Sequence, residues 1–205
     1  MKSSRLLATA VLALVAASAS AQPSPRPKKI QDIPPPGGTP APSAPAAPAM
    51  PTPAPEHAVL KQEAGSWDAT VESFMAPGQP PVLSKGTETG TMLGDFWLVS
   101  DFKTDMMGQP FTGHGTLGYD PAKKKYVSTW IDSMTPTLAL GESVYDAATR
   151  TFTGWLDGLD YAGKPTKLKT VTTFKDPSTR VFTMSLKGPD GKDVTALRIT
   201  YTRRK

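Results

Sequence analysis

The sequence predicts an all-β fold, an antiparallel up-and-down barrel of about ten strands with a short helix before the first strand. Beyond residue 57 the chain is rich in Thr, Val and aromatic residues. Turn-forming residues interrupt it about every 8–12 positions, a pattern typical of β-sandwiches and barrels. A turn motif recurs three times with no helical segment between its copies, which favours consecutive hairpins. Closing such a sheet removes its exposed edges.

The first 21 residues are predicted to be a secretory signal peptide. Lys2 and Arg5 precede the short apolar run LLATAVLALVAA, and Ala19-Ser20-Ala21 is a small-residue cleavage site. The apolar run is shorter than the roughly 20 residues that a membrane-spanning helix needs. We therefore expect a periplasmic or secreted protein, cleaved near Ala21.

Residues 22–56 are predicted to form a disordered, partly polyproline-II tether. They contain 13 of the 22 prolines and offer few large apolar side chains that could be buried on folding. One interpretation is a passive spacer. The other is a segment that contacts the cell envelope through Arg26, Lys28 and Lys29.

Residues 57–205 are predicted to be a single domain, since about 150 residues suffice for one core. They carry 18 Lys and Arg against 16 Asp and Glu, with opposite charges alternating along the chain. A nucleic-acid-binding protein needs a dense basic face, so no nucleic-acid partner is predicted.

The sequence has no cysteine, which excludes disulfides and a lipid-modified cysteine. It does not indicate an oligomeric state.

Helical spacing occurs at the start of this domain, in EHAVLKQEAG, residues 56–65. Val59, Leu60 and Ala64 share one side of such a helix, and Gly65 marks its end.

The turn motif follows later in the chain. Each copy has an aromatic residue six positions after an Asp and a basic residue four positions after it; the copies are DPAKKKY, DAATRTF and DPSTRVF, beginning at Asp120, Asp146 and Asp176. Asp followed by Pro is preferred in type I turns, so each copy predicts a tight hairpin.

The stretch GHGTLG, Gly113–Gly118, has the glycine spacing of a dinucleotide-binding loop. That loop works only where a strand leads into the glycines and a helix leaves them, because the helix amides hold the pyrophosphate. Here Tyr119 and the Asp120-Pro121 turn follow, and then the strand-like YVSTWI. We therefore interpret GHGTLG as part of a barrel strand.

The length of the hairpin loop in the first copy of the turn motif, which begins at Asp120, decides which face of the sheet His114 occupies. A three-residue loop pairs His114 with Trp130 and directs both of them and Asp132 into the barrel; Glu142 takes the matching inward position in the second copy. A four-residue loop places His114 on the opposite face from Trp130 and moves the unfavourable left-handed position to Lys124. We favour the three-residue loop, since mis-facing a whole strand costs more than one strained turn residue.

A ligand cavity inside the barrel is the favoured functional hypothesis, and its ligand is expected to be small and largely apolar. The candidate lining residues are Trp97, His114, Trp130, Asp132 and Glu142. One alternative is an enzyme in which Asp132 orients His114 for proton transfer. Another is an interaction module with a packed interior, and His114 would then belong to a hydrogen-bonded polar network.

No catalytic or metal-binding residue is predicted. The sequence lacks the G-x-S-x-G elbow of many hydrolases. Its two histidines are 57 positions apart and no cysteine accompanies them, so the ligand spacing of a zinc site is missing.

Several motifs together resemble a known bacterial family. GSW at Gly65–Trp67 is similar to the G-x-W that opens many lipocalin-like (calycin) barrels. It is followed by GTETGTMLGDFWL, GQPFTGHGTLGYDPAKKKYVSTWIDS and ITYTRR. Over about residues 57–203 this series resembles the family known as domain of unknown function 1579, whose members are small, often exported proteins. The resemblance implies a calycin-like barrel but no activity, substrate or catalytic residue.

GSW is also similar to the opening of the haem-binding nitrobindin barrels. In that family glycines repeat after the Trp and a histidine lies near the C-terminal end. Here Trp67 is followed by DATVESF, and the closing ALRITYTRR has no histidine. No haem or other cofactor is therefore predicted.

Overall fold

The structure is a computed structural model that describes residues 50–160, 162–188 and 190–205. The predicted signal peptide and most of the predicted tether, residues 22–49, lie outside this range. The described residues belong to one compact unit. None of their helices is long and apolar enough to cross a membrane.

A closed barrel of ten antiparallel strands follows a single 3₁₀ helix, Pro55–Gln62. The strands are β1 Gly65–Ser73, β2 Val82–Leu93, β3 Trp97–Met106, β4 Gln109–Asp120, β5 Lys125–Asp132, β6 Ala139–Asp146, β7 Thr151–Leu159, β8 Pro165–Asp176, β9 Thr179–Lys187 and β10 Asp193–Arg203. Each strand pairs with the next one in the chain, and β10 pairs with β1. The prediction of an up-and-down barrel of about ten strands with a short N-terminal helix is confirmed.

The 3₁₀ helix packs against one end of the barrel. Leu60 is completely buried and His57 is 3% exposed. Beyond the helix, Trp67 Nε1 donates a hydrogen bond of 2.9 Å to the Glu63 carbonyl. From the barrel wall, Tyr126 donates its hydroxyl to the Glu56 carbonyl, also at 2.9 Å. These bonds hold the turn after the helix, including Glu63, over the barrel interior.

Side chains alternate between the interior and the outer surface along the strands, as the pleat of a sheet requires, with register irregularities in β8 and β10. Two apolar clusters fill much of the interior. The first consists of buried Trp67, Ala69, Val71, Phe102, Phe111, Ile199 and Tyr201. The second consists of buried Leu60, Leu98, Tyr126, Phe152 and Phe174.

The hairpin loop of the first motif copy, which joins β4 and β5, has four residues, so the favoured three-residue register is wrong. Asp120 pairs with Lys125, and Lys124 takes the left-handed conformation with φ 53°. Asp120 Oδ1 accepts hydrogen bonds from the backbone N–H groups of Ala122 and Lys123, at 2.9 and 3.2 Å. This side-chain turn stabilises the loop locally and offsets the strain at Lys124.

The other two copies of the motif differ from each other. In the second copy Asp146 pairs with Thr151 around another four-residue loop, and Arg150 has φ 52°. In the third copy Asp176 pairs with Thr179, and an irregularity in β8 shifts the register so that Phe174 pairs with Arg180. The shift places Arg180 on the inner face, although its position in the motif matches that of two strained turn residues.

Two glycines of GHGTLG make room for one aromatic ring. Gly115 pairs with Trp130 across β4 and β5. A Cβ at Gly113 would overlap the Trp130 ring, and a Cβ at Gly115 would lie 3.1 Å from it. GHGTLG is thus part of a barrel strand, as interpreted from the sequence, and its first two glycines leave the space that the Trp130 indole occupies.

Candidate functional site

A cavity of about 250 Å³ lies inside the barrel, and residues of both apolar clusters contribute to its wall. One part of the lining is apolar, with both aliphatic and aromatic side chains: Leu98, Phe102, Leu117, Trp130, Phe152, Leu156, Phe182, Met184, Leu197 and Ile199. Another part carries hydroxyl groups: Ser100, Ser128, Ser143, Thr170, Thr172 and Tyr201. The cavity therefore offers both apolar contact and hydrogen bonds.

A buried ion triad forms the charged part of the lining. Arg180, on β9, donates from Nη1 to Glu63 Oε2 at 2.9 Å and from Nη2 to Glu88 Oε1 on β2. The side chains of Arg180, Glu63 and Glu88 are only 4%, 10% and 8% exposed. All three residues border the cavity. One guanidinium is thus shared by two carboxyl groups that are almost fully removed from water.

Two aromatic rings complete the surroundings of Arg180. Its Cζ lies 3.9 Å from the centre of the Tyr201 ring and 4.8 Å from the centre of the Trp67 ring. Tyr201 is also hydrogen-bonded to Glu88 through its side chain. Because cations are attracted to the faces of aromatic rings, and more strongly where water is excluded, both rings help to retain the buried charge.

The pKa values of the triad follow from burial and mutual attraction. Burial opposes the charge on Arg180, but Glu63 and Glu88 outweigh it, so the pKa of Arg180 is raised and the guanidinium stays protonated. Burial raises the pKa of Glu63; Arg180 lowers it in part, whereas Glu88 raises it further. Burial, followed by the charge of Glu88, raises the pKa of the Tyr201 hydroxyl well above its ordinary value.

The Nε of Arg180 is the exception in this otherwise satisfied triad. Among the described residues, it is the one buried side-chain nitrogen or oxygen that has no hydrogen-bond partner. A buried donor without a partner costs free energy, and more so when the group is charged. Such an atom calls for an explanation, such as a ligand or an ordered water.

Two of the five candidate lining residues predicted from the sequence, Trp130 and Asp132, are hydrogen-bonded to each other, but Asp132 does not border the cavity. Trp130 borders the cavity, and its Nε1 donates to Asp132 Oδ2 at 3.1 Å. Asp132 pairs with Gly113 at the end of β5. Its Oδ1 accepts from the backbone N–H groups of Met134 and Thr135, so this carboxylate also stabilises the start of the following loop.

His114 lies on the outer surface, and the prediction that it faces inward beside Trp130 is wrong. It pairs with Ile131 on β5 and Asp101 on β3. Its Nδ1 lies 2.9 Å from Asp101 Oδ1, and these side chains are 46% and 65% exposed. Because the hairpin loop has four residues, the phase of β4 relative to β5 is shifted by one position, which turns His114 outward.

Glu142 also departs from its predicted inward orientation. It pairs with Val127, and although it borders the cavity, its carboxylate accepts from Lys123 Nζ at 3.1 Å and Lys125 Nζ at 2.7 Å. Those hydrogen bonds lower the pKa of Glu142. The four-residue loop of the second motif copy explains the difference, since it pairs Tyr145 rather than Val144 with the buried Phe152 and so turns Glu142 outward.

Trp97 lies on the outer face at the start of β3 and is not part of the cavity wall. It is 40% exposed and pairs with Gly118, where a Cβ would overlap its ring. The next residue, Leu98, is the inward one and is 3% exposed. The third glycine of GHGTLG therefore accommodates an outer tryptophan.

Sequence reasoning missed the triad. Arg180 was interpreted as part of the turn motif, and Glu63 and Glu88 carry no motif of their own. One signal was present: Arg180 precedes Phe182, Met184 and Leu186 at alternate positions, and a row of large apolar residues at alternate positions is expected to face the interior. A basic residue in the inward phase of a barrel strand needs a buried partner.

Metal binding has no candidate group in the part of the chain that the structure describes. No set of three or more His, Asp or Glu side chains there is arranged to hold an ion.

A family profile and several solved barrels are similar to this chain. The profile described as "Protein of unknown function (DUF1579)" matches residues 52–203. The crystal structure of Rv2717c from M. tuberculosis is 15% identical, with a TM-score of 0.57 over 74% of this chain and 99% of that one. At this identity the likeness shows the fold alone. No protein with a curated description matches the sequence.

Two further barrels are more distant in shape. An S-type phycobiliprotein lyase, CPES from Guillardia theta, is 15% identical with a TM-score of 0.48, covering 73% of this chain and 93% of that one. A de novo designed fluorescence-activating barrel is 15% identical with a TM-score of 0.39, covering 71% and 97%.

Proposed function

This chain belongs to the family of proteins of unknown function called DUF1579, and we propose that its barrel binds a small, largely apolar molecule in the internal cavity. The main observation in support is that the core side chains leave a cavity of about 250 Å³ inside the barrel. Protein interiors are normally close-packed, with few voids larger than a water molecule. A cavity of this size bordered by a charged triad is therefore an expected place for a ligand.

The size and lining of the cavity support a compact ligand with one polar end. Its volume is just below the range of about 300–1,000 Å³ that is usual for sites of drug-sized molecules. Phe102, Trp130 and Phe182 offer aromatic surface to an apolar body. Arg180 and the hydroxyl-bearing residues offer hydrogen bonds to a polar end.

The two alternative functions have less support. The proton-transfer hypothesis needs His114 beside Asp132, but His114 lies on the outer surface with Asp101. The interaction-module hypothesis needs a packed interior, which the cavity argues against. Binding rather than catalysis is thus the favoured activity.

The proposed location is the periplasm or the cell exterior. It is supported by the signal-like segment of residues 1–21 and by the Pro-rich residues that follow it. In this proposal the 22–56 segment tethers the barrel and is the part that contacts the cell envelope.

Native mass spectrometry of the protein purified from its own host tests the function. We expect a mass adduct of a small molecule on the wild-type protein. The variant Thr170→Leu should lack it, because Thr170 lines the cavity and the larger side chain would fill part of the space. The same substitution at Thr153, an exposed residue of β7, is the matched control and should keep the adduct.

Two results would contradict the proposal. One is an adduct that survives in Thr170→Leu but is lost in Thr153→Leu, which would place the ligand outside the cavity. The other is the absence of any adduct, together with a failure of the purified protein to bind naphthalene-sized probes in titration calorimetry.

A further inference from the structure

The buried triad restricts the charge of any ligand that reaches it. When both glutamates are ionised, two negative charges surround the single positive charge of Arg180, and the triad carries a net charge of −1. When Glu63 is protonated, the triad is neutral. In neither state does Arg180 have positive charge left to balance an anion.

A carboxylate ligand would therefore enter at a high cost. It would lose its hydration on entering the barrel, and a buried charge without a counter-charge is strongly unfavourable. Among the residues that line the cavity, Arg180 is the one cationic side chain, and both of its terminal nitrogens already bind carboxyl groups. Lys123 and Lys125 are held on the outer surface by Glu142.

One donor of the triad is still free to bind an oxygen. Arg180 Nε is buried and unpartnered among the described residues, on a side chain that borders the cavity. A carbonyl or ether oxygen could accept its N–H without adding charge. Hydrogen bonds from a charged donor contribute more than neutral ones, and they contribute most where leaving the donor unpaired is costly.

On the premise that the cavity binds a ligand as proposed above, we infer that this ligand is an uncharged molecule with a hydrogen-bond acceptor oxygen, such as a ketone, ester or amide, which binds Arg180 Nε. The triad lowers the affinity for a carboxylate that has the same shape as this uncharged ligand. The barrel thus differs from a site in which a free arginine would bind an acid: here the two glutamates already neutralise the arginine, and Nε is its one nitrogen without a hydrogen-bond partner among the described residues.

Four naphthalene probes of nearly equal shape test this selectivity. They share the ring and differ in one substituent at position 2: an acetyl group, a carboxylate, an isopropyl group or a 1-aminoethyl group, which is cationic at neutral pH. We would measure the Kd of each by titration calorimetry at pH 7. The ketone should bind at least about tenfold more tightly than the hydrocarbon and than the carboxylate.

The variant Glu88→Gln tests the role of the glutamates in this selectivity. It makes the charge of the triad more positive by one while nearly preserving its shape. The carboxylate probe should then gain at least about tenfold in affinity relative to the ketone. Glu72→Gln is the matched control, because Glu72 pairs with Arg198 on the outer face, and it should leave the ratio unchanged.

The possible outcomes separate the two proposals. If no probe binds the wild-type protein, the proposed function fails. If probes bind but the carboxylate matches or exceeds the ketone, the function stands and the inference about charge is wrong. If the ketone and the hydrocarbon bind with equal affinity, the ligand oxygen does not bind Arg180 Nε and the inference is wrong. If the ammonium probe binds most tightly, the site recognises a cation through the carboxylates of Glu63 and Glu88, and the inference is also wrong. If Glu88→Gln does not fold, as judged by circular dichroism, the wild-type series alone decides.

Discussion

Replacing Arg180 with methionine is expected to lower the free energy of unfolding by about 3–5 kcal/mol, the usual cost of removing one partner from a buried ion pair. Methionine is similar in length, so the main loss is the positive charge. Glu63 and Glu88 are 10% and 8% exposed, and they would be left without a counter-charge. For a domain of this size the loss corresponds to a melting temperature lower by roughly 10 °C.

Urea denaturation followed by tryptophan fluorescence measures this effect. The stability of Arg180→Met should also fall as pH rises from about 5 to 8, because its buried carboxyl groups bind protons more readily in the folded state than in the unfolded chain. Adding Glu63→Gln and Glu88→Gln to the variant removes the unpaired charges and should recover most of the loss.

The matched control is Arg198→Met. Arg198 is 43% exposed on the outer face and lies 3.5 Å from Glu72, so its loss should cost no more than about 1 kcal/mol. Equal costs for Arg180→Met and Arg198→Met would refute the reasoning, since the buried triad would then contribute no more than an exposed pair. A loss of stability that does not depend on pH would refute it as well.

Three further predictions concern single positions. Burial, offset in part by Arg180, raises the pKa of Glu63 above 4.5, so its contribution to stability is present below about pH 4.5 and is lost as pH rises through the folded-state pKa. Glu63→Gln should therefore flatten the dependence of unfolding free energy on pH between about 4.5 and 8, and an unchanged slope would contradict the raised pKa. His114→Ala should change stability by no more than about 0.5 kcal/mol and leave the ketone affinity unchanged, since the histidine contacts Asp101 on the exposed outer surface; a tenfold weaker Kd in calorimetry would show that His114 contributes to ligand binding. Lys124→Gly should raise the unfolding free energy by about 0.5–1 kcal/mol in urea denaturation, because φ is 53° there and glycine adopts this conformation without strain. The neighbouring Lys123→Gly should give no such gain, and equal gains at both positions would count against the strain.

The candidate site was predicted only in part, and the reason is register. Trp130 was assigned to the interior, and the structure places it there, in the same phase of β5 as the buried Tyr126. His114 and Glu142 were assigned from the assumed length of a loop, and a difference of one residue in that length reverses every assignment on the strand that it connects. Either loop length places a lysine at the left-handed position, Lys123 or Lys124, and the structure shows that Asp120 stabilises the four-residue loop through two backbone hydrogen bonds.

The sequence by itself determined that the domain is a β-barrel of about ten strands, because the alternation of side chains and the chemistry of tight turns act over only a few residues. It also determined where the hairpins of the first two motif copies turn, after Asp120 and Asp146. The tertiary structure alone decided which faces point inward and what the cavity contains. Arg180 meets Glu63 from 117 positions away and Glu88 from 92, because closing the barrel brings β9, β2 and the end of the helix to one point of the interior. No local pattern encodes such a meeting, since it depends on the register of all ten strands at once.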